Sequence, residues 1–301
     1  MKINELSSVN NGILLLNKSL GMTSNKALQK AKKLLGAKKA GHTGSLDPLA
    51  TGMLPICFEE ATKICQFLLD ADKCYETTGM LGIKTSTADA AGKVIAYSEC
   101  FQVSQSQLQE VLTHYTGQLS QTPSMFSALK HKGVPLYRLA RSGIEIERKE
   151  RDIIIHDLRL NSFDGIQFEL TVTCSKGTYI RNLVEDIGDS LNVGAYVSRL
   201  HRVYTAGLNH LPIYTLDELE SMSLVERIAC LIPMDKAIDY LPSMVLADDE
   251  VWAIRQGRVV NKNLDVEGMN CVRLYNESTQ FIGLGEFSTT GILKAKRLLA
   301  Y

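Results

Sequence analysis

Residues Gly41 to Pro55 read G-H-T-G-S-L-D-P-L-A-T-G-M-L-P. Glycines at 41, 44 and 52 admit backbone conformations closed to other residues, and the stretch is predicted to be a tight, non-helical loop. It carries one acid, Asp47, and one imidazole, His42. Pro48 removes a donor and stiffens the chain directly after the acid. A lone carboxylate on a stiff turn suits an exposed reactive group. It also suits a structural aspartate that caps a helix or closes a turn.

The flanks of this loop are simpler. Gly12 to Lys18, G-I-L-L-L-N-K, is a compact apolar run that predicts a short strand. Thr23 to Leu35 predicts a helix, capped by Thr23 or Ser24, with Ala27, Leu28, Ala31, Leu34 and Leu35 at helical spacing. The other side of that helix holds Lys26, Lys30, Lys32 and Lys33; with Lys38 and Lys39 they suit a phosphate-facing surface. Gly36 to Thr43, G-A-K-K-A-G-H-T, nearly matches the phosphate-loop pattern. His42 stands where the lysine must reach the phosphates, so nucleotide triphosphate binding is not expected. Beyond the loop, Leu54–Phe58 predicts a strand, 61–69 a helix and 73–83 a strand that runs into a turn.

The 301 residues are 45% hydrophobic and 22% charged, which fits an ordinary globular chain with room for one large unit and a small one. No apolar run approaches the ~18 residues of a membrane span, and M-K-I-N-E-L-S-S-V-N-N lacks a secretory core, so the expected location is the cytoplasm. The seven cysteines are scattered, without C-x-x-C pairs. They predict free buried thiols and no metal site. The net charge of zero hides polarity. Residues 1–50 hold eight Lys or Arg against two Asp or Glu, residues 128–151 seven against three, and residues 216–250 two against nine. A solvated charged face explains any one of these segments equally well.

Further along, 107–115 predicts a helix. Gln121 to Gly143, Q-T-P-S-M-F-S-A-L-K-H-K-G-V-P-L-Y-R-L-A-R-S-G, interleaves Lys130, Lys132, Arg138 and Arg141 with Phe126 and Tyr137. This mixture suits RNA, where cations meet phosphates and rings meet splayed bases. Segments 153–160 and 166–174 alternate like sheet strands. Thr178 is expected to cap a helix whose Ile180, Leu183, Val184 and Ile187 face inward. Arg181 then lies in its first turn, either in a functional site or in a surface pair with Glu185. Residues 195–204 predict a strand. The acidic stretch 216–250 reads as a helix-containing linker, and 244–301 as short strands with glycine turns.

The loop string G-H-T-G-S-L-D-P-L-A-T-G closely resembles the catalytic motif of the TruB family, the tRNA pseudouridine-55 synthases. K-C-Y followed by L-G-I-K-T-S-T-A-D-A-A-G resembles the family's second motif, and K-G-T-Y-I-R a third. The resemblance spans residues 12 to about 205. It implies that Asp47 is the nucleophile, and that His42, Tyr75, Tyr179 and Leu200 surround the target base. Tyr75, also nominated for the proton transfer, would otherwise read as a core tyrosine. Arg181 is the expected partner that keeps Asp47 ionised. Lys18, Lys130, Lys132, Arg138 and Arg141 are the expected RNA contacts. At Phe126 the family usually has tyrosine.

The implied fold is α+β: a mixed, largely antiparallel sheet of the pseudouridine synthase type flanked by helices, with a small C-terminal PUA-like β-barrel. The expected units are 1–243, with an RNA-gripping insertion at about 121–151, and 244–301. The implied substrate is the TΨC stem-loop of tRNA, at uridine 55. Uridine and pseudouridine share formula and oxidation state, so no cofactor or metal is expected. Nor is an obligate protein partner, and a monomer is the expectation. Three rivals remain at this point: a non-catalytic RNA binder or chaperone, a two-carboxylate glycoside hydrolase with Asp89 as second acid, and a synthase for another RNA uridine.

Overall fold

The computed structural model describes residues 11–262 and 271–300. The first ten residues of the expected catalytic unit, and 263–270 and 301 of the expected C-terminal unit, lie outside the described residues. Strand β1 (Gly12–Lys18) is buried on both faces, so its side chains alternate between two cores. Leu14 and Leu16 enter one; Ile13 and Leu15 enter the other. Helix α1 (Ser24–Leu34) is capped by Thr23, whose hydroxyl accepts from the Lys26 N–H at 3.2 Å. Strands β2 (Ala40–His42) and β3 (Ala50–Phe58) bracket the loop. A 3-10 turn (Glu59–Ile64) leads into α2 (Cys65–Asp70).

The chain continues through β4 (Lys73–Leu81), β5 (Ile83–Thr85), β6 (Val94–Tyr97), α3 (Gln105–His114) and β7 (Gly117–Gln121). The insertion holds a small hairpin, β8 (Lys130–His131) and β9 (Val134–Pro135), and α4 (Leu136–Arg141). Then come β10 (Arg151–Phe163), β11 (Gln167–Cys174), α5 (Ile180–Ser190) and β12 (Ala195–Thr205). Short helices α6 (Leu216–Ser221) and α7 (Leu224–Ala229) begin with capping boxes at Thr215/Glu218 and Ser223/Glu226. The last part comprises β13 (Ser243–Leu246), α8 (Asp248–Arg255), β14 (Val260–Asn261), β15 (Val272–Asn276), β16 (Phe281–Phe287) and β17 (Ile292–Leu298).

The main sheet runs β1-β3-β12-β4-β11-β10-β7, with β2 on β3. Every described pairing in it is antiparallel except β3 with β12. Helices α1, α5 and α6 cover one face through a core that includes Leu14, Ala27, Leu54, Val184 and Leu216. A second sheet, β13-β15-β16-β17-β14, follows. The mixed α+β expectation therefore holds, including a curled C-terminal sheet. Among the described residues no helix is long and apolar enough to cross a membrane.

Several sequence expectations are corrected. The glycine-rich stretch is not all loop: β3 begins at Ala50, so Gly52 sits inside a strand. It looks like a turn residue because its φ is +100°, yet the reason for glycine is proximity. Gly52 lies opposite Arg202 in the parallel pair, and a Cβ there would stand 2.2 Å from the Arg202 carbonyl oxygen. The helix over 61–69 is split into a 3-10 turn and a shorter α-helix. Strand 73–83 breaks at Gly82, which has φ +87°.

The acidic segment is not a free linker. Ile232 bridges to Ile13 and Tyr214 to Leu16, binding it to β1. The expected unit boundary at 243/244 falls inside β13. The second sheet shares the rear core of the main sheet, where Phe281, Leu284 and Leu299 join Ile13, Leu15, Met53 and Ile64. All seven cysteines are free, but Cys100 is exposed and Cys65 and Cys230 half-buried, contrary to a uniformly buried set.

Gly52→Ala is expected to cost about 1–3 kcal/mol more stability than Gly207→Ala, which shares a positive φ but has open space around it. Urea denaturation midpoints of the two variants check this; equal losses would remove the close-approach argument.

Candidate active site

The turn between β2 and β3 is held by side chains from below as well as by backbone bonds, among them the Ala50 N–H to the Asp47 carbonyl at 3.0 Å. Ser24, buried in the first turn of α1, donates to the Leu46 carbonyl at 2.9 Å and accepts from the Leu46 N–H at 2.7 Å. The Pro48 carbonyl accepts from Gly21 N–H at 2.8 Å, and the Thr43 N–H donates to Pro55. Arg202 donates from Nε to the Met53 carbonyl at 2.6 Å and from Nη2 to the Gly44 carbonyl at 3.2 Å. Asp47 is thereby presented on a fixed turn at a cleft of about 380 Å³.

Across that cleft, the first turn of α5 brings in Arg181, whose Nε meets Asp47 Oδ2 at 2.9 Å. Arg181 is 4% exposed. Its Nη1 donates to the Thr87 carbonyl at 2.8 Å and its Nη2 to the Phe126 carbonyl at 2.9 Å. Asp89, also buried, stands 3.7 Å from Nη1 and accepts from Thr87 and the Ala91 N–H. One guanidinium thus lies between two carboxylates, which is how a buried cation is tolerated. Glu185, the alternative partner, pairs instead with Lys84 at 3.7 Å. Asp89 lies behind the arginine and does not line the cleft, so among the described residues Asp47 is the only acid lining it, where a hydrolase needs two.

The cleft is lined by Asp47, Tyr75, Tyr179, Arg181 and Leu200, five of the six residues expected as catalytic or base-contacting. His42 is the exception. It ends β2, its Nδ1 is buried without a partner, and burial, with Arg202 adding to it, holds its imidazole below the usual range. Burial pushes the Tyr75 phenol above its usual value, against the opposing charge of Arg202. Its ring and hydroxyl stand in the pocket wall. The tyrosine of the third motif is also raised by burial.

Lys18 departs from its expected place. Expected at an RNA surface, it is 1% exposed, with its ammonium taken by the Ser19 and Met22 carbonyls at 3.0 and 2.7 Å. Burial lowers it to about 8, while Asp47 pulls the other way. It contributes to the acid's field and not to a phosphate-binding surface. Lys130, Lys132, Arg138 and Arg141 are exposed on the hairpin and α4, and none has an ion-pair partner among the described residues. Arg141 lies 5.7 Å over the Tyr137 ring. Thr178 does not cap α5; Tyr179 holds the cap position, and the Thr178 hydroxyl donates to the Ser175 carbonyl.

Sequence reasoning missed Arg202 and Lys73, both buried and both lining the cleft. Lys73 donates to the carbonyls of Leu68, Leu69 and Ala71, and burial, with Arg202 next, lowers it to about 8. Arg202 has no carboxylate within 4 Å among the described residues. The signal for it was strand spacing, since Leu200 and Arg202 share one face of β12. A larger cavity of about 500 Å³, lined by Thr87, Phe126, Arg148 and Asn182, lies beyond the two carbonyls that hold Arg181. It contains neither Asp47 nor the other expected base contacts.

Family models match three consecutive segments. Residues 32–180 match the TruB family pseudouridylate synthase N-terminal domain, 181–239 the tRNA pseudouridylate synthase B C-terminal domain, and 242–299 the pseudouridine synthase II TruB C-terminal domain. The chain belongs to the TruB family.

Among its relatives, tRNA pseudouridine synthase B of Legionella pneumophila (strain Corby) is 64% identical over 291 residues, covering 96% of each chain. That of Methylobacillus flagellatus is 48% identical over 289 residues, covering 96% of this chain and 95% of its own. Two solved structures share the fold. One, described as a Cbf5-Nop10-Gar1 complex, gives a TM-score of 0.72 at 23% identity over 99% of this chain and 87% of that one. The other, described as an H/ACA RNP bound to a substrate RNA containing 2'-deoxyuridine, gives 0.71 at 21% identity over 100% and 88%. The TruB assignment makes the chain a pseudouridine synthase, an isomerase.

Burial raises the Asp47 carboxyl above its ordinary 3.8, and Arg181 opposes that rise without cancelling it. The side chain is still 40% exposed, through the mouth of the cleft. If the ionised form is the reactive one, activity falls as pH drops through a value above 3.8. Arg181→Met removes the lowering influence and should move that acid limb to higher pH. Single-turnover rates against pH on unmodified RNA check this; an unmoved limb would separate Arg181 from the ionisation of Asp47.

Proposed function

We propose that the chain isomerises uridine 55 in the TΨC loop of tRNA to pseudouridine, with Asp47 as nucleophile. The observation that carries this reading is the Asp47–Arg181 pair at 2.9 Å on a cleft walled by Tyr75, Tyr179 and Leu200. The relatives' printed name, tRNA pseudouridine synthase B, supports tRNA as substrate, and the motif resemblance supports position 55.

The chemistry breaks N1–C1′, turns the ring and forms C5–C1′; C5 gives up its proton and N1 takes one up, so the formula is unchanged. A stacked base hides these atoms, so the nucleotide must first swing out, at a cost of a few kcal/mol. Tyr75 offers a ring for the uracil to lie on, and Leu200 an apolar contact on the same floor. Arg202 and Lys73 give that floor positive charge, which suits a ligand with a polyanionic backbone and a departing pyrimidine that gains negative charge. The exposed cations Lys130, Lys132, Arg138 and Arg141 are the proposed grip on RNA phosphates, with recognition chiefly of loop shape. The enzyme is proposed to work as a monomer in the cytoplasm.

Incubation with unmodified tRNA, then nucleotide-resolution mapping, is expected to give pseudouridine at position 55. Product only at another uridine would change the substrate. Asp47→Asn should lower the rate by about three orders of magnitude or more while tRNA still binds. Replacing Lys132 and Arg138 by alanine should weaken tRNA binding and flatten its dependence on log salt by about one unit for each phosphate that is no longer neutralised. Binding titrations across salt concentrations check this, and an unchanged slope would remove those side chains from the interface.

A further inference from the structure

Gln121 ends β7 and faces Arg151 across the β7–β10 pair. These two residues form the rung at which the chain leaves the main sheet for the insertion and returns to it. Gln121 is 6% exposed. Its Oε1 accepts from the Tyr179 N–H at 2.8 Å, and its Nε2 donates to the Tyr179 carbonyl at 3.1 Å. A carboxamide carries the donor and the acceptor that one backbone residue demands, without charge.

Tyr179 is the N-cap residue of α5 and makes no side-chain cap. In a capping box, the side chain three residues on reaches back to the N-cap N–H. That position here is Asn182, whose amide donates instead to the Thr122 carbonyl at 2.8 Å. Gln121 therefore supplies from another element the reach-back bond that α5 lacks. Arg181 sits two residues beyond Tyr179 in the same turn, and its Nη2 is on the Phe126 carbonyl. Residues 121, 122 and 126 thus hold three of the first four residues from Tyr179 to Asn182.

We propose that Gln121 is a positioning residue for the isomerisation: its carboxamide fixes the first turn of α5 against the root of the insertion, so that Arg181 meets Asp47. The inference rests on the reading of Asp47 and Arg181 as the catalytic pair. Because Gln121 also roots the insertion, RNA gripped there acts on the same joint that orients the arginine.

Gln121→Met keeps volume and burial and removes both bonds. The single-turnover rate at saturating unmodified tRNA is expected to fall about ten- to a hundredfold, with tRNA affinity changed by less than about twofold. The acid limb of the rate should move to higher pH, towards that of Arg181→Met. A merely structural loss would lower the fraction of folded enzyme and leave the limb where it was. If the Met variant has no cooperative thermal transition, Gln121→Leu, which also removes both bonds without adding charge, carries the same measurement. A rate that falls only with the folded fraction, or affinity lost with the saturating rate intact, overturns the proposal. Asp47→Asn measured alongside separates the two readings. If it stays active, the catalytic pair itself falls; if it is inactive while Gln121→Met is unaltered, only the positioning role falls.

Discussion

Arg181 is almost wholly withdrawn from water, and its charge has to be met by protein. Asp47 and Asp89 meet it from two sides, and the carbonyls of Thr87 and Phe126 take its outer nitrogens. Four segments distant in sequence converge on one planar group: the glycine-rich turn, the turn after β5, the insertion and α5. The same interaction sets the state of Asp47. Crowding by protein lifts its affinity for a proton, and the guanidinium pulls it back. The result is a carboxylate still open to the cleft yet partly desolvated, which suits the nucleophilic role proposed for it.

The scaffold makes this pairing possible by a close approach of backbones. Strand β12 runs parallel to β3 only over residues 200–202, and only because Gly52 has no Cβ. That approach places Leu200 on the cleft floor and lets Arg202 reach the carbonyls at both ends of the turn. Behind this layer, β1 and β3 share a core with the C-terminal sheet. The second sheet is thus part of what holds the catalytic strands, and not a module joined by a tether.

The motif residues were legible because the strings around them resemble the family's motifs; an acid among glycines, an arginine at a helix start and a tyrosine in a strand each also fit a structural role. Lys18 and Thr178 were misjudged from local pattern. A lysine after an apolar run looks like a surface cation, and a threonine before a helical pattern looks like a cap. Hydrophobic period shows neither that the carbonyls of Ser19 and Met22, a few residues on, fold back over the lysine nor that Tyr179 takes the cap position. Gln121 and Arg202 gave weaker signals still, since a glutamine at a strand end and an arginine in a strand are ordinary in isolation.

By itself the amino-acid order determined the local elements, through hydrophobic period, caps and glycines, and it named Asp47 with Arg181 as its expected partner. It also carried the family, because catalytic strings are contiguous. The tertiary structure gave that pair its 2.9 Å contact, and it alone decided that Asp89 stands behind the two charges and that Lys18 is interior. Those are properties of distance and of water exclusion between segments far apart in the chain, and no local pattern encodes either.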